Sequence, residues 1–352
     1  MGDRKIVQYI DELTDKEKVM IKKVLGKYNF NVQEITKVRS AYKITTDLGP
    51  VCLKKIRHSQ KKAINGNILV EELERNGFYY TAKFYKTKGN YLFVKDKKMF
   101  FYVTEWIEGE ECDLNDINEA CNCVKFLAKF HIATSKIDTR KLKVKNNLKN
   151  WPRIFNNNLS DLERYKKIIE KKRIKSEFDT QYESYIDSFY NRGVAAIQLL
   201  NASDYYLLSR RAGEKRTLCH DSFYYQNIIK KDNEYYIIDL DSIIIDLHIN
   251  DLGKLIRRLM FKKAYQWDFD KAKILIEAYS EINKISKSEL EAMLSMIAFP
   301  HKFWKLGKKR YLKHKAWSET KYINKLNKLV RYDNLQQKFL EDYISYINAY
   351  KD

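Results

Sequence analysis

The sequence predicts an α+β fold: a small antiparallel sheet with one inserted helix, then a larger, mainly helical region. Three observations lead there. Between residues 32 and 106, short runs rich in Val, Ile, Tyr and Thr alternate with turn signals, and a single helical stretch interrupts them. Beyond about residue 112, apolar residues recur mostly at helical spacing. The chain has 352 residues, 44% hydrophobic and 14% aromatic, enough for one large domain or two lobes and too apolar for a disordered chain.

Taken in order, residues 5–28 read as a helix, with Ile6, Ile10, Leu13, Val19, Ile21 and Leu25 apolar and a break at Gly26. Val32–Val38 and Tyr42–Thr46 read as strands around the short loop Arg39-Ser40-Ala41. Asp47-Leu48-Gly49-Pro50 is a turn, and Val51–Ile56 is the returning strand. A helix from about Gln60 to Arg75 closes at Asn76-Gly77. Strands at Tyr91–Lys95 and Met99–Trp106 follow, then a connector at Glu108–Glu111. Ile117–Ser135 shows one apolar helical face, Ala120, Val124, Leu127, Ala128, His131 and Ile132. Positions 138–175 are polar and Lys-rich, with an exposed helix expected at 160–174 and another helix near 180–200. A strand pair, Ile228–Lys230 and Tyr235–Leu240, flanks a turn at 231–234, and 251–350 reads as helical.

Lys and Arg number 67 against 46 Asp and Glu, a net charge of +21. That excess favours anionic partners, although a Lys-, Asn-, Ile- and Tyr-rich, Gly- and Pro-poor composition also follows from an AT-rich genome. The five cysteines, Cys52, Cys112, Cys121, Cys123 and Cys219, show no CxxC spacing, which argues for buried reduced thiols rather than a disulfide framework or a zinc ribbon. No apolar run approaches the roughly 18 residues of a membrane span. Acidic residues stand where a signal peptide would be apolar, so Sec-type export is not expected.

Three segments carry chemistry together: Leu218 through Asn227, Tyr236 through Asp241, and Asn250-Asp251-Leu252-Gly253. A polar loop ending in Asn, followed by an apolar strand ending in Asp, suits phosphoryl transfer to a hydroxyl. The Asn amide oxygen and the carboxylate converge on Mg²⁺, which neutralises the triphosphate. A Lys on a central strand of the small sheet, positioned by a helix Glu, would grip the phosphates. The bland reading of Asn227 and Asp239 is an Asx turn at a strand end, and Lys54 competes with Lys55 for the inward position.

In these segments the chain resembles the aminoglycoside phosphotransferase and choline kinase-like branch of the protein-kinase fold and, more narrowly, the CotS-type spore coat proteins. The resemblance rests on Leu53-Lys54, Thr104 through Gly109, Leu127 through His131, Cys219-His220 through Asn227, Ile238 through Ser242, and Phe299 through Leu306. It implies a bilobal kinase-like fold: an N-lobe over 1–104, a hinge over 105–111, and a helical C-lobe over 112–352 with a catalytic-loop-like hairpin at 218–241. It further implies that Lys54 grips the phosphates of ATP or another nucleotide, with Glu71 or Glu72 as helix partner. Glu105 and Ile107 would belong to the adenine-touching hinge, Asn227 and Asp239 would hold Mg²⁺, and Asp251 would brace the catalytic loop. The implied setting is synthesis in the mother-cell cytoplasm and deposition in the spore coat among other coat proteins, with a small hydroxylated molecule as the substrate of any kinase activity.

One departure divides the functional readings. The family places its catalytic Asp two residues after the His and five before the Asn, and here both counts land on Ser222, with Asp221 one position early. Ser222 is a poor base at neutral pH. Either the loop shifts so that Asp221 serves as base in an active small-molecule phosphotransferase, or the protein is a nucleotide-binding pseudokinase of the coat. A purely structural coat component is a third reading. His131 and His220 read as satisfied core histidines. The tract 302–315, with Lys and Arg among Phe303, Trp304 and Tyr311, reads as aromatics turned inward under solvated lysines rather than as a specific nucleic-acid site.

Overall fold

The computed structural model describes residues 10–11, 13–57 and 59–352, and the chain divides into two compact units. One comprises Met1–Cys112, Lys136–Val144 and Tyr224–Ile243; the other comprises Asp113–Ser135, Lys145–Phe223 and Ile244–Asp352.

The first unit is built on a seven-stranded antiparallel sheet. Its strands are β1 (Ile10–Asp11), β2 (Val32–Val38), β3 (Ala41–Thr46), β4 (Gly49–Arg57), β5 (Phe84–Tyr85), β6 (Val94–Asp96) and β7 (Met99–Glu105). The order is β1-β2-β3-β4-β7-β5, with β6 also paired to β7. A two-residue turn, Arg39-Ser40, closes the β2–β3 hairpin, with Arg39 left-handed at φ 56°.

Two helices cover this sheet, α1 (Asp15–Leu25) and α2 (Lys61–Arg75). Val51 and Leu53 of β4 enter a core with Ile21, Val24 and Leu25 of α1, while Ile56 packs with Ala63 of α2 and with Tyr102. Each such apolar side chain removed from water contributes roughly 1.5–3 kcal/mol. Apolar cover on both faces makes β4 the interior strand, and a lysine on it is therefore held in place by packing.

Five sequence expectations are corrected here. The helix expected over 5–28 begins only at Asp15; residues 5–9 lie outside the described residues, and Ile10–Asp11 is the edge strand β1. Thr14 sets that start, because its hydroxyl accepts from Glu17 N–H while the Glu17 carboxylate accepts from Thr14 N–H, a reciprocal cap. The strand expected at Tyr91–Lys95 is Val94–Asp96, after a left-handed Asn90. The helix expected at 160–174 starts at Trp151, as α4 (Trp151–Glu170). Trp151, Phe155, Leu159, Leu162, Tyr165 and Ile169 form its buried stripe, which the surrounding lysines and asparagines mask in a composition-based reading. The strand expected over Tyr235–Leu240 ends at Ile237. The connector at Glu108–Glu111 contains a short strand, Glu110–Glu111, paired with Ile228–Lys231.

That pairing needs Gly109, since a Cβ there would meet the Lys230 carbonyl inside contact distance. Ile228–Lys231 also pairs with Glu234–Ile237 through a turn in which Asp232 and Asn233 are both left-handed, at φ 51° and 66°, the type I′ geometry that matches strand twist.

The second unit is mainly helical. It contains α3 (Ile117–Ser135), α4, α5 (Glu177–Ala202), α6 (Tyr205–Lys215), α7 (Ile249–Met260), α8 (Phe269–Ser280), α9 (Lys287–Ala298), α10 (His301–Gly307), α11 (Glu319–Val330) and α12 (Asp333–Ala349). Helices α5 and α7 both pack on α9, and α3 packs on α8. Beside them lies a three-stranded sheet in which Ile244–Ile245 pairs antiparallel with Leu218–Cys219 and parallel with Lys145–Asn146. Cys52, Cys112, Cys123 and Cys219 are buried and Cys121 is half-buried. Among the described residues, no helix is long and apolar enough to cross a membrane.

Candidate nucleotide site and catalytic loop

In the first unit, Lys54 stands on β4 between β3 and β7, opposite Ala41 and Tyr102. Its Nζ reaches Asp239 Oδ1 at 2.7 Å, with the two side chains 19% and 35% exposed. Burial works against the Lys54 ammonium, but the adjoining Tyr102 phenol and Asp239 carboxylate outweigh it, and the net direction is upward. Lys54 therefore stays charged at neutral pH. Of the competing pair Lys54 and Lys55, the half-buried residue is Lys54; Lys55 is exposed.

Asp239 and Asn227 are brought together by the hairpin. The strand Glu234–Ile237 ends, Ile238 N–H donates to the Asn227 carbonyl at 3.0 Å, and the next residue is Asp239. Asp239 is left-handed, φ 66° and ψ 41°, a conformation Asp adopts with less strain than a branched residue. A single 3-10 turn, Leu240–Ser242, then packs against α2. It carries Asp241, whose carboxylate accepts from Ser242 Oγ at 3.2 Å and faces Lys62 Nζ at 3.6 Å. Burial and then the Asp239 charge raise the Asp241 carboxyl above its ordinary value. Asp239, Asp241 and the Asn227 amide offer oxygen donors along this hairpin, the chemistry a hard divalent cation takes. The residues fit a magnesium ion.

The helix acids are engaged elsewhere. Glu71 accepts from Asn67 at 3.0 Å and faces Arg75 at 3.8 Å; Glu72 binds Arg75 at 2.8 Å and Lys141 at 3.3 Å. The structure thus joins Lys54 to Asp239 and gives Glu71 and Glu72 other partners. Glu105 ends β7, its N–H donating to the Lys83 carbonyl at 2.8 Å and its carboxylate accepting from Lys83 N–H at 3.4 Å. Ile107, two residues on, is buried.

In the second unit, the loop after Cys219 is tied to the start of α7. Asp251 is fully buried and accepts from His220 N–H at 2.6 Å, from Asp221 N–H at 2.8 Å and from His131 Nε2 at 3.1 Å. Burial alone would raise this carboxyl; the His131 hydrogen bond and the nearby cationic groups overcome it, so Asp251 is lowered and stays ionised. His131 Nδ1 lies 2.6 Å from the Tyr279 hydroxyl and its ring stacks on His248 at 4.2 Å. The Nε2–H tautomer, donating to Asp251 and accepting from Tyr279, satisfies the network. His131, Cys219 and Asp251 lie close enough to hold a metal, but each ligand atom already has a partner, the Cys219 thiol donating to the Leu247 carbonyl at 3.1 Å. This is bracing.

Asp221 is left-handed at φ 65°. Its carboxylate pairs with Lys254 and accepts from Asn250 Nδ2 at 3.4 Å. Ser222 N–H donates to His220 Nδ1 at 3.2 Å. Lys254 is the residue that sequence reasoning missed. A signal was available: Asn250 and Lys254 are four apart on a helix, so they share one face, and that face adjoins the Asp251 motif already singled out.

Comparison with known proteins follows the same lines. Residues 21–343 match the family described as "Spore coat putative kinase YutH". Spore coat protein S of Bacillus subtilis (strain 168) is 23% identical over 346 residues, covering 96% of this chain and 98% of that protein. An aminoglycoside phosphotransferase from Alicyclobacillus acidocaldarius superposes with a TM-score of 0.80 at 19% identity, over 97% of this chain and 98% of that one. Spectinomycin phosphotransferase APH(9)-Ia, solved with ADP and spectinomycin, gives 0.62 at 13% identity, over 95% and 99%. Amicoumacin kinase hAmiN, solved with AMP-PNP and Ca²⁺, gives 0.59 at 14%, over 94% of each. These structures carry the kinase-like α+β fold to this chain.

Proposed function

Because the chain belongs to the YutH family of kinase-like spore coat proteins, we propose that it is a coat-associated protein that binds a nucleotide with Mg²⁺ and transfers phosphate slowly or not at all. The observation that carries this reading is the Lys54–Asp239 ion pair, set beside Asn227 by the hairpin. Lys54 binds phosphate oxygens, and Asn227 and Asp239, with Asp241 behind them, hold the metal. When bound, the metal neutralises the phosphate charge that otherwise repels an attacking hydroxyl. Glu105 and Ile107, in a hinge over 105–111, line the adenine side. The solved relatives named above contain ADP and AMP-PNP with Ca²⁺, which supports a nucleotide and a divalent ion as the ligands.

Weak transfer follows from the loop. Ser222 occupies the counted base position, and the neighbouring Asp221 is committed to Lys254 and Asn250. A positioned general base is worth roughly 10²–10⁴-fold. The second reading, an active phosphotransferase with Asp221 as base, draws on the same contacts, since Lys254 and Asn250 also fix the direction of that carboxylate.

Turnover of Mg·ATP, including slow hydrolysis, separates the two. Under the first reading Ser222→Asp raises turnover and Asp221→Asn changes little. Robust wild-type transfer that disappears in Asp221→Asn, with Ser222→Ala silent, establishes the second. A protein that Mg·ATP neither stabilises nor binds to is a structural coat component, and the proposal fails.

A further inference from the structure

The tract after Pro300 packs its aromatics inward, Phe303 and Tyr311 being buried. Its lysines do more than solvate the opposite face. His301, Trp304, Lys305, Lys308, Lys309 and Lys313 line a cavity of about 220 Å³. Lys308 lies over the Trp304 ring at 4.6 Å. The carboxylate beside this wall is Asp161, which accepts from Trp304 Nε1 at 2.9 Å and faces Lys308 at 4.0 Å. Among the described residues, Lys305 and Lys309 form no ion pair with a carboxylate; Lys309 instead sits over the Trp317 ring at 4.6 Å.

Burial first, and like charge after it, work against the protonated form of these groups. Burial, then Lys309, Arg258, Arg257 and Lys313, push Lys305 down; burial, then Lys325 and further lysines, push Lys309 down. Next to them Lys302 is lowered to about 7, by burial first and then by Lys328 and Arg257. His301 is held well below its ordinary value by burial and by Arg257, Lys305 and Lys254. Such a concentration of positive charge in a concavity is unfavourable to the folded chain by itself, and it attracts anions.

We propose that this pocket is an anion-binding site for a small molecule carrying several clustered oxyanion charges, such as adjacent phosphoryl groups. Lys305, Lys309 and Lys313 supply the charge, and Trp304 supplies an apolar wall. A concavity of about 220 Å³ admits a small polyanion. The inference does not rest on nucleotide binding or phosphoryl transfer.

The test is calorimetric titration of the full chain with inorganic tripolyphosphate. The wild type is expected to bind one equivalent saturably. The triple variant K305Q/K309Q/K313Q loses affinity by at least roughly tenfold, the scale of one charged hydrogen bond. It keeps or raises its melting temperature, because repulsion is relieved. A charge-matched control, K166Q/K175Q/K338Q, removes lysines that are paired with Asp187, Glu183 and Asp342 and leaves the affinity unchanged. The proposal is overturned by no saturable binding, by equal losses in both triple variants, or by a single-stranded oligonucleotide that binds more tightly than tripolyphosphate through the same three lysines.

Discussion

Asp239→Asn is the most informative single change. Asn is nearly isosteric and tolerates the left-handed backbone at φ 66°, so the turn survives and only the charge is lost. Without ligand, the variant loses the ion pair to Lys54 at 2.7 Å. Exposed pairs contribute about 0.2–1 kcal/mol, and breaking a buried pair costs about 3–5 kcal/mol. With Lys54 19% and Asp239 35% exposed, the expected cost is between these, about 1–2 kcal/mol. For a chain of 352 residues that lowers the melting temperature by roughly 1–3 °C. The second effect is on ligand. At a hundredfold excess over Kd, Mg·ATP stabilises the wild type by about 2.7 kcal/mol, and loss of a metal carboxylate should remove most of that. Scanning fluorimetry, with and without Mg·ATP, reads both effects. A variant that melts with the wild type and retains its full Mg·ATP shift refutes the assignment of Asp239 to the metal and of Lys54 to its partner.

Other expectations are independent of that site. Glu17, lowered to about 2 chiefly by Lys37 at 3.0 Å and also by the Thr14 N–H and the Tyr42 hydroxyl, contributes stability above pH ~4.5 that is lost as pH falls toward 2. Urea unfolding of Glu17→Gln should therefore show a flatter acid limb, by about 1–2 kcal/mol after allowing for its partial exposure. Asp246 runs the other way. Burial raises it to about 6 against hydrogen bonds from Asn147, Trp151 and Leu247 N–H, so its ionisation costs stability as pH rises from ~4 through ~6. Asp246→Asn should abolish that slope in urea titrations even if it lowers overall stability. Asp251→Ala leaves the buried His220 N–H without its acceptor and the Asp221 N–H without its anchor, a loss of about 3 kcal/mol or more, measurable by circular dichroism melting; a change below 1 kcal/mol would contradict the bracing role.

Much of this protein was legible in its residues. Runs rich in Val, Ile, Tyr and Thr, bounded by turn signals, located β2, β3, β4 and β7 to within a few residues. The 3.6-residue period located α3, and the Asn76-Gly77 signal located the end of α2. The resemblance in motif order supplied the kinase-like fold and the spore coat family. Two kinds of feature were hidden. Elements whose buried stripe is diluted by Lys and Asn, as in α4, carry too weak a composition signal. The start of α1 depended on a reciprocal cap between Thr14 and Glu17, which a reading of apolar spacing overlooks.

The site divides along the same line. The sequence, through the resemblance in its motifs, nominated the side chains that could serve: Lys54, Asn227, Asp239 and their neighbours. It could not determine what each of them touches. Lys54 pairs with Asp239, 185 positions away, and Glu72 with Lys141. Asp221 is held by Lys254 and Asn250, and Lys305, Lys308, Lys309 and Lys313 line one cavity with Trp304. Partner choice is a matter of distance and desolvation in the folded chain. An ion pair gains from a few ångströms and from partial burial, and neither quantity is written in the order of the residues.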